Sequence, residues 1–468
     1  MSALPLLLEV TSLFIIVFIL LQRYANFRQQ NKFILIATFI AWYFSFMIVI
    51  LLPMDISMTT YRQCLRDTPI VIDNQTANQS IPITKCKEPY SIISPKYLPI
   101  LWRIIYWTSQ ALTWLILPFM QSFCQSGEFN LTGKIRGALI SNAIYYGSYL
   151  AIFGFLLIYV AIEHNIDGPK LKVIGITASN TWGLFLLVLL LGYALVAVPR
   201  SLWLKSNTSL RLKLIYFKLA KLHAEKCEAE EQLEDILSEI RTIAEKIRYN
   251  HPYRNFVDII VSKCPESFRN TLRRNVEDYN DYNQSSFDRD IPSEKGLVKL
   301  HYALIKALQI KDRTSNEWFL MVEEAFQVED ILLNESNSNY KFMKTASFRQ
   351  NAFLDKFCNS TLEWLYYCVF LKYFMRIVSV LLTILTIMVI WSEMTFFNKR
   401  PVLSLFAIFL NASRTTYNFL SIEIIVFMTI AYLSFCAYFA IFKIRIFNYY
   451  YLAPNHHTSE NSLIFSGM

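Results

Sequence analysis

The stretch that decides the fold is Leu212 to Ile247, LKLIYFKLAKLHAEKCEAEEQLEDILSEIRTIAEKI. Stepping by three and four residues gives Leu212, Ile215, Leu219, Leu222, Lys226, Ala229, Leu233, Ile236, Ile240, Ile243 and Ile247, and ten of these eleven are apolar. Lys, Arg, Glu and Gln fill most positions between them. This is a heptad seam on a charged helix, the pattern of a coiled coil in water that buries one stripe against a partner. Its surroundings are of another kind. The rest of the chain is largely apolar enough for lipid, so the seam belongs to a water-soluble module hung between membrane helices.

Composition supports that division. The 468 residues are 54% hydrophobic and 15% aromatic, with 11 Gly and 17% charged side chains, against about 25% charged in an ordinary soluble domain. The apolar residues gather in runs of about 20, the length that crosses a bilayer core. The formal charge of +9 is scattered along the chain. Without a basic patch on one face it argues for membrane flanks, not a nucleic-acid surface.

Working outward, the fold class expected is an all-α polytopic membrane protein with a long cytosolic helical insert. Residues 1–199 hold five spans: Leu4 to Leu21, Phe33 to Leu52, Leu98 to Phe119, Leu139 to Ile162 and Ile174 to Val198. Residues 200–367 form the insert, 368–447 a second membrane bundle, and 448–468 a tail. The first loop carries Arg23, Arg28 and Lys32 and no acid, which makes it cytosolic and the N-terminus external or lumenal. Phe370 to Trp391 is the sixth span and Asn418 to Phe442 the seventh. Val402 to Leu410, nine residues, covers about half the bilayer core and reads as re-entrant or interfacial. Within the insert, Val257 to Arg274 is a short helix, Ser293 caps another, and a separate amphipathic run follows at Trp318 to Phe326. These apolar faces favour an antiparallel bundle within the chain, with a homodimer through the seam as the alternative.

The outer loop, residues 53–97, is the one place where chemistry is written into the sequence. Cys64 and Cys86 bracket Asn74-Gln75-Thr76 and Asn78-Gln79-Ser80, two N-glycosylation sequons. Paired cysteines around sequons indicate an oxidising compartment, with a Cys64–Cys86 disulfide and glycan on Asn74 or Asn78. Cys124, Cys227, Cys264, Cys358, Cys368 and Cys436 have no metal-type spacing and read as free thiols.

No phosphate-cradling glycine loop and no His-Glu-x-x-His occurs, so no catalysis, metal or other cofactor is expected. His456-His457 reads as part of a solvated tail. Three ionisable residues stand about five positions inside their spans, Glu9, Arg103 and Glu423. All three enter from the outer side, at a depth of roughly 8 Å at 1.5 Å per residue. A charge at such depth is costly, so an intramembrane polar cluster in which Arg103 pairs with Glu9 or Glu423 is expected.

Several stretches resemble the limb-region (LMBR-type) multi-pass membrane protein family. They are Leu52-Pro53-Met54-Asp55-Ile56-Ser57 leading to Tyr61 and Cys64, Tyr106-Trp107 through Leu112-Thr113-Trp114 to Leu117-Pro118, and Tyr249-Asn250-His251-Pro252. Pro292-Ser293-Glu294-Lys295, Trp391-Ser392-Glu393 and Phe447-Asn448-Tyr449-Tyr450-Tyr451-Leu452 continue the match, and none is catalytic. The resemblance implies a plasma-membrane or endomembrane protein of about nine spans with a receptor-like or accessory role. Its nearest branch implies partners among G-protein-coupled receptors, in adrenergic signalling, besides the membrane lipids. It also implies that the family pattern continues beyond Met468, so that the chain is C-terminally truncated relative to the family. A transporter or carrier is the competing class, which repeats and broken helices would mark.

Overall fold

The computed structural model describes residues 4–28, 30–67, 89, 97–164, 167–247, 251–278, 292–345, 359–395, 397–398, 401–415, 419–443, 450–454 and 456–468. Among the described residues every regular element is helical: α1 (Leu4–Tyr24), α2 (Lys32–Asp67), α3 (Tyr97–Ala111), α4 (Leu117–Gln125), α5 (Leu131–His164) and α6 (Gly168–Lys205). Next come α7 (Thr208–Lys246), α8 (Arg254–Lys263), α9 (Glu266–Asp278) and α10 (Glu294–Glu335). Then come α11 (Ser360–Trp364), α12 (Leu371–Thr395), α13 (Leu405–Thr415), α14 (Phe419–Lys443) and α15 (Glu460–Gly467).

Among the described residues, six helical runs are long and apolar enough to cross a membrane: α1, α2, α5, α6, α11 with α12, and α14. The chain is thus an all-α polytopic membrane protein. The third expected span is also helical, but a π turn at Leu112–Ile116 divides it into α3 and α4. A π turn leaves a carbonyl without its usual intrahelical donor. Here the Tyr146 hydroxyl of α5 donates to the Trp114 carbonyl at 2.8 Å, as the lipid phase demands.

Both internal prolines lie inside helices, where the sequence had suggested ends. α2 runs on through Pro53 to Asp67 and α6 through Pro199 to Lys205. Pro199 has no N–H for the Leu195 carbonyl, and Thr386 of α12 supplies the missing donor at 3.1 Å. Thr386 also bonds the Tyr432 hydroxyl at 2.7 Å, and Ser379 donates to the Pro199 carbonyl at 2.8 Å. These bonds knit α6, α12 and α14 around the buried Ala194, Val198, Cys436 and Ala440. A second core joins α1, α2 and α3 through Leu13, Val17, Leu51 and Ile105. α13 has eleven residues, about 16 Å, and is too short to cross.

Charge pattern explains how α7 finds α10. From Thr208 to Ala224, α7 carries Arg211, Lys213, Lys218 and Lys221 and no acid; from Glu225 to Glu245 it carries eight acids against Lys226 and Arg241. α10 has the same polarity in chain order. Lys295, Lys299, Lys306, Lys311 and Arg313 lie in its first half, while all charges after Arg313 are acids. Antiparallel packing within the chain therefore sets basic halves against acidic ones, whereas a parallel pair of α7 copies would set acid on acid. The packing is antiparallel: Thr208 Oγ1 donates to Glu335 Oε1 at 2.7 Å, Arg211 meets Glu324 at 2.7 Å, and Leu233 and Ile240 pack with Leu297, Leu300 and Leu304. Every seam residue from Leu212 to Ile247 is buried or half-buried.

α10 is one helix of 42 residues, not the two short runs read from the sequence. Between those runs, Thr314 turns its hydroxyl onto the Ile310 and Lys311 carbonyls at 3.0 and 3.1 Å and stays helical. Conversely, the single helix expected over Val257 to Arg274 is two, α8 and α9, parted at Cys264-Pro265.

Candidate functional site

The 39 residues of α7 span about 58 Å as a helix. The α7/α10 pair does not stand on the membrane bundle like a mast; it lies along it and is held at three places. At the near end, Glu335 takes Thr208 on one side and the Lys372 ammonium of α12 at 3.3 Å on the other. Arg376 of α12 donates to Ser206 Oγ at 3.3 Å, between α6 and α7. The Trp364 indole of α11 donates to the Asn334 carbonyl at 2.9 Å.

At the far end, the loop between α4 and α5 reaches up to α10. His301, 1% exposed, meets the Gly127 carbonyl through Nδ1 at 2.6 Å. A carbonyl only accepts, so Nδ1 carries the proton and Nε2 presents a lone pair, buried and without a hydrogen-bond partner. Phe129 stacks between His301, at 5.0 Å and 5°, and Phe256 of α8, at 4.5 Å and 14°. Glycine is required at 127 by close approach: a Cβ there would sit 2.9 Å from Tyr302 backbone nitrogen, and closer still to the Val298 carbonyl. Burial, with the Lys263 and Lys134 charges adding to it, outweighs the Gly127 bond and holds the His301 imidazole below its ordinary 6.5.

A pH dependence follows. The folded state takes up the His301 proton less readily than the unfolded chain, so its stabilising share is full above 6.5 and falls away as pH drops below that. The protection factors of α10 amides around His301, which remove the pH dependence of intrinsic exchange, should fall from pH 7 to pH 5 in the parent protein. They should fall markedly less in His301→Asn, which keeps a donor but does not titrate.

The middle attachment is the tail. It packs back onto the bundle through its later residues, while His456 and His457 themselves remain exposed. His456 Nδ1 donates to the Ala25 carbonyl at 2.8 Å with φ at 67°, Gln30 donates to the Thr458 carbonyl at 2.6 Å, and Trp42 to Ser466 at 3.2 Å. Gln121 bonds the Tyr450 hydroxyl, while the Tyr450 ring stacks on Phe465 at 4.4 Å. Asn316 of α10 reaches the His457 carbonyl at 3.4 Å, so the tail clamps α10 to the loop between α1 and α2. Burial, then Glu317 and Glu324, push the Tyr451 hydroxyl up to about 12. A polar cavity of about 220 Å³ remains among Asn26, Gln30, Arg313, Asn316 and Ser459. The sequence did carry a sign of this clamp, the run of tyrosines at 449–451, but nothing in it named the surface that Tyr450 and Tyr451 meet.

The other expected site residues divide. Glu9 and Glu423 come within electrostatic reach of one another, and Glu9 Oε2 is shielded without a hydrogen-bond partner. Arg103 is exposed on α3, and the ion pairs of the described residues do not include it. Sequence reading passed over Asp55, which accepts from the Trp102 indole at 3.2 Å inside the bundle. Cys64 is buried in α2, and the free thiols among the described residues are Cys124, Cys227, Cys264, Cys368 and Cys436. Asn74, Asn78 and Cys86, like Cys358, lie outside the described residues. Groups of three or more His, Cys, Asp or Glu fit to hold a metal are absent among the described residues.

This arrangement is a scaffold of helix–helix and helix–loop contacts. The family model described as LMBR1-like membrane protein matches residues 2–468. The chain is 46% identical over its whole length to the G-protein coupled receptor-associated protein LMBRD2 of Gallus gallus, and likewise of Homo sapiens, spanning 69% of each. It is 30% identical, over 96% of the chain and 62% of the relative, to the LMBR1 domain-containing protein 2 homolog A of Dictyostelium discoideum. No solved structure matches. An all-helical polytopic bundle, the family-model match over nearly every residue and whole-chain relatives at this identity place the chain in the LMBR1-like membrane protein family.

Proposed function

We propose that this chain is a non-enzymatic, receptor-like regulator that modulates signalling by G-protein-coupled receptors, adrenergic receptors among them, through the cytosolic face of the α7/α10 pair. The observation that carries the reading is the flat seat of that pair, tied to the bundle at both ends and the middle. A helical surface held at membrane level stands where the short inner loops of a neighbouring receptor would meet it. Relatives 46% identical bear the name G-protein coupled receptor-associated, which supplies the partner class. The test is proximity labelling in cells between the full chain and a β-adrenergic receptor. Labelling that survives exchange of Thr208–Glu335 for an unrelated antiparallel helix pair of equal length overturns the role of this surface. A transporter is the second reading. Ligand-dependent flux in proteoliposomes of the purified chain would establish it, though among the described residues the broken helix it calls for is limited to the π turn regions and α13.

The same reading puts the N-terminus and residues 53–97 outside, in the plasma membrane or an endomembrane, with Cys64 paired to Cys86 and glycan on Asn74 or Asn78. Glycosidase treatment is expected to speed gel migration of the parent protein and to leave the Asn74→Gln, Asn78→Gln double variant unmoved. A parent that does not shift removes the outside assignment. Closure of Arg103 onto Glu9 or Glu423 in the bilayer belongs to the same proposal. A double-mutant cycle on Arg103→Glu with Glu9→Arg or Glu423→Arg reads it, and additive losses of surface expression exclude it.

A further inference from the structure

We propose that the first half of α7, Thr208 to Ala224, is a membrane-surface helix seated on anionic phospholipid headgroups of the leaflet on its own side. Three observations converge on this. The first is position. Only Ser206 and Asn207 separate α6 from α7, and both Ser206 and Thr208 are tied to residues bonded to or lying on α12, Arg376 and Glu335. Lys218 lies ten residues beyond Thr208, about 15 Å along the helix axis. It still acts electrostatically on Lys205 at the end of α6, as does Lys443 at the end of α14. A helix rising away from the bilayer would have carried Lys218 out of that reach, so this part of α7 stays level with the ends of the spans.

The second observation is the face turned away from the seam. Leu210, Leu214 and Phe217 follow at four and three residues, the spacing of one helical stripe, and are 39%, 38% and 74% exposed. They lie opposite Ile215, Leu219 and Leu222, so α10 does not cover them. Trp203, 53% exposed on the last turns of α6, is an aromatic of the kind that settles at the headgroup level.

The third is charge. Between Ser201 and Ala224 stand Lys205, Arg211, Lys213, Lys218 and Lys221 and not one acid. Of these, Arg211 is matched, by Glu324 from α10. Lys213, Lys218 and Lys221 are exposed on or beside the apolar stripe. Basic residues flanking Leu and Phe on a helix lying in the interfacial plane is the chemistry that takes an anionic lipid surface. A protein partner would need acids here; the acidic half of α10 is already turned to α7.

Naming the leaflet as the cytosolic one rests on the function proposed above; the helix-to-lipid contact does not, and symmetric nanodiscs separate the two. The full chain carrying Cys227→Ser and Leu214→Cys, labelled at position 214 with a small fluorophore, is placed in nanodiscs of phosphatidylcholine with phosphatidylserine in both leaflets. The expected result is strong quenching by nitroxide near the headgroup end of the lipid chains and weak quenching by aqueous iodide. Glu231→Cys, on the outward face of the acidic half, should show the reverse. In parallel, phosphatidylserine retained on the purified protein is measured by native mass spectrometry. It should fall about tenfold or more in Lys213→Gln, Lys218→Gln, Lys221→Gln, since each base near an anionic surface is worth roughly a factor of five. Iodide quenching at 214 equal to that at 231 overturns the proposal. So does protection that persists in detergent and grows with protein concentration, which would assign the stripe to a second copy. Unchanged phosphatidylserine retention in the triple variant overturns the anionic part, and with it the choice of ligand.

Discussion

Replacing Gly127 by valine is expected to release the far end of the α7/α10 pair while leaving the spans inserted. The new side chain would enter space held by the Val298 carbonyl and the backbone of Tyr302, and backbone, unlike a flexible side chain, cannot swing away. Overpacking of this kind costs about 1 to 3 kcal/mol. The loop must also retreat from α10, which breaks the Nδ1 bond of His301 and leaves both its nitrogens buried and unpaired. The combined penalty should raise the detached population by one to two orders of magnitude, read as faster proteolysis of residues 246–300 in the full chain. Gly147→Val is the control, because nothing lies within 4 Å of a Cβ at that position. Equal proteolysis of the two variants would show that the Gly127 contact does not hold the hairpin.

The second large effect is expected at the seam. Ile240, 1% exposed, sits among Leu297, Leu300 and Leu304, and Ile240→Asp would bury a charge with no base to meet it. An unpaired buried charge costs several kcal/mol, a large share of the 5 to 15 that hold a typical domain together. Hydrogen exchange should accelerate along both α7 and α10, because the pair is one cooperative unit. Glu239→Lys, one residue away on the exposed face, should change exchange little. Acceleration confined to α7 would mean that α10 is not its partner.

How far the fold could be read ahead depended on whether the signal was local. The seam from Leu212 to Ile247 was legible because periodicity is a property of one helix. The spans were legible because length and apolarity are too. The breaks were less so. Pro53 and Pro199 look like helix ends, but a hydroxyl on another helix can repair the bond a proline removes, as Thr386 does for Leu195. Thr314 kept α10 whole by bonding its own backbone, an option that a reading by polarity alone does not weigh. The tail was the largest omission. His456 meets Ala25 and Trp42 meets Ser466 across more than 400 residues of chain, and Tyr450 meets Gln121 across 329, and nothing local in the sequence announces such pairs. Of the candidate site, the three intramembrane charges were found by depth alone. Depth does not report rotation about the helix axis: Glu9 and Glu423 come within electrostatic reach of one another, while Arg103 is exposed on α3. Gly127 was missed for a like reason: a glycine needed for close approach looks, in sequence, like any glycine in a loop.

The flat seat of the α7/α10 pair underlies the proposed function, the lipid contact and the expected effect at Gly127. It is tested most directly by cysteines placed at Phe129 and Phe256, whose ring centroids are 4.5 Å apart. With the free cysteines replaced, a short bifunctional thiol reagent should cross-link these two positions in the full chain in nanodiscs rapidly and nearly completely, at a rate independent of protein concentration. A pair standing upright would hold the Phe256 end about 58 Å from the loop between α4 and α5, far beyond the reach of such a reagent. Absence of the cross-link, or its formation only between molecules at high concentration, would contradict the architecture described here.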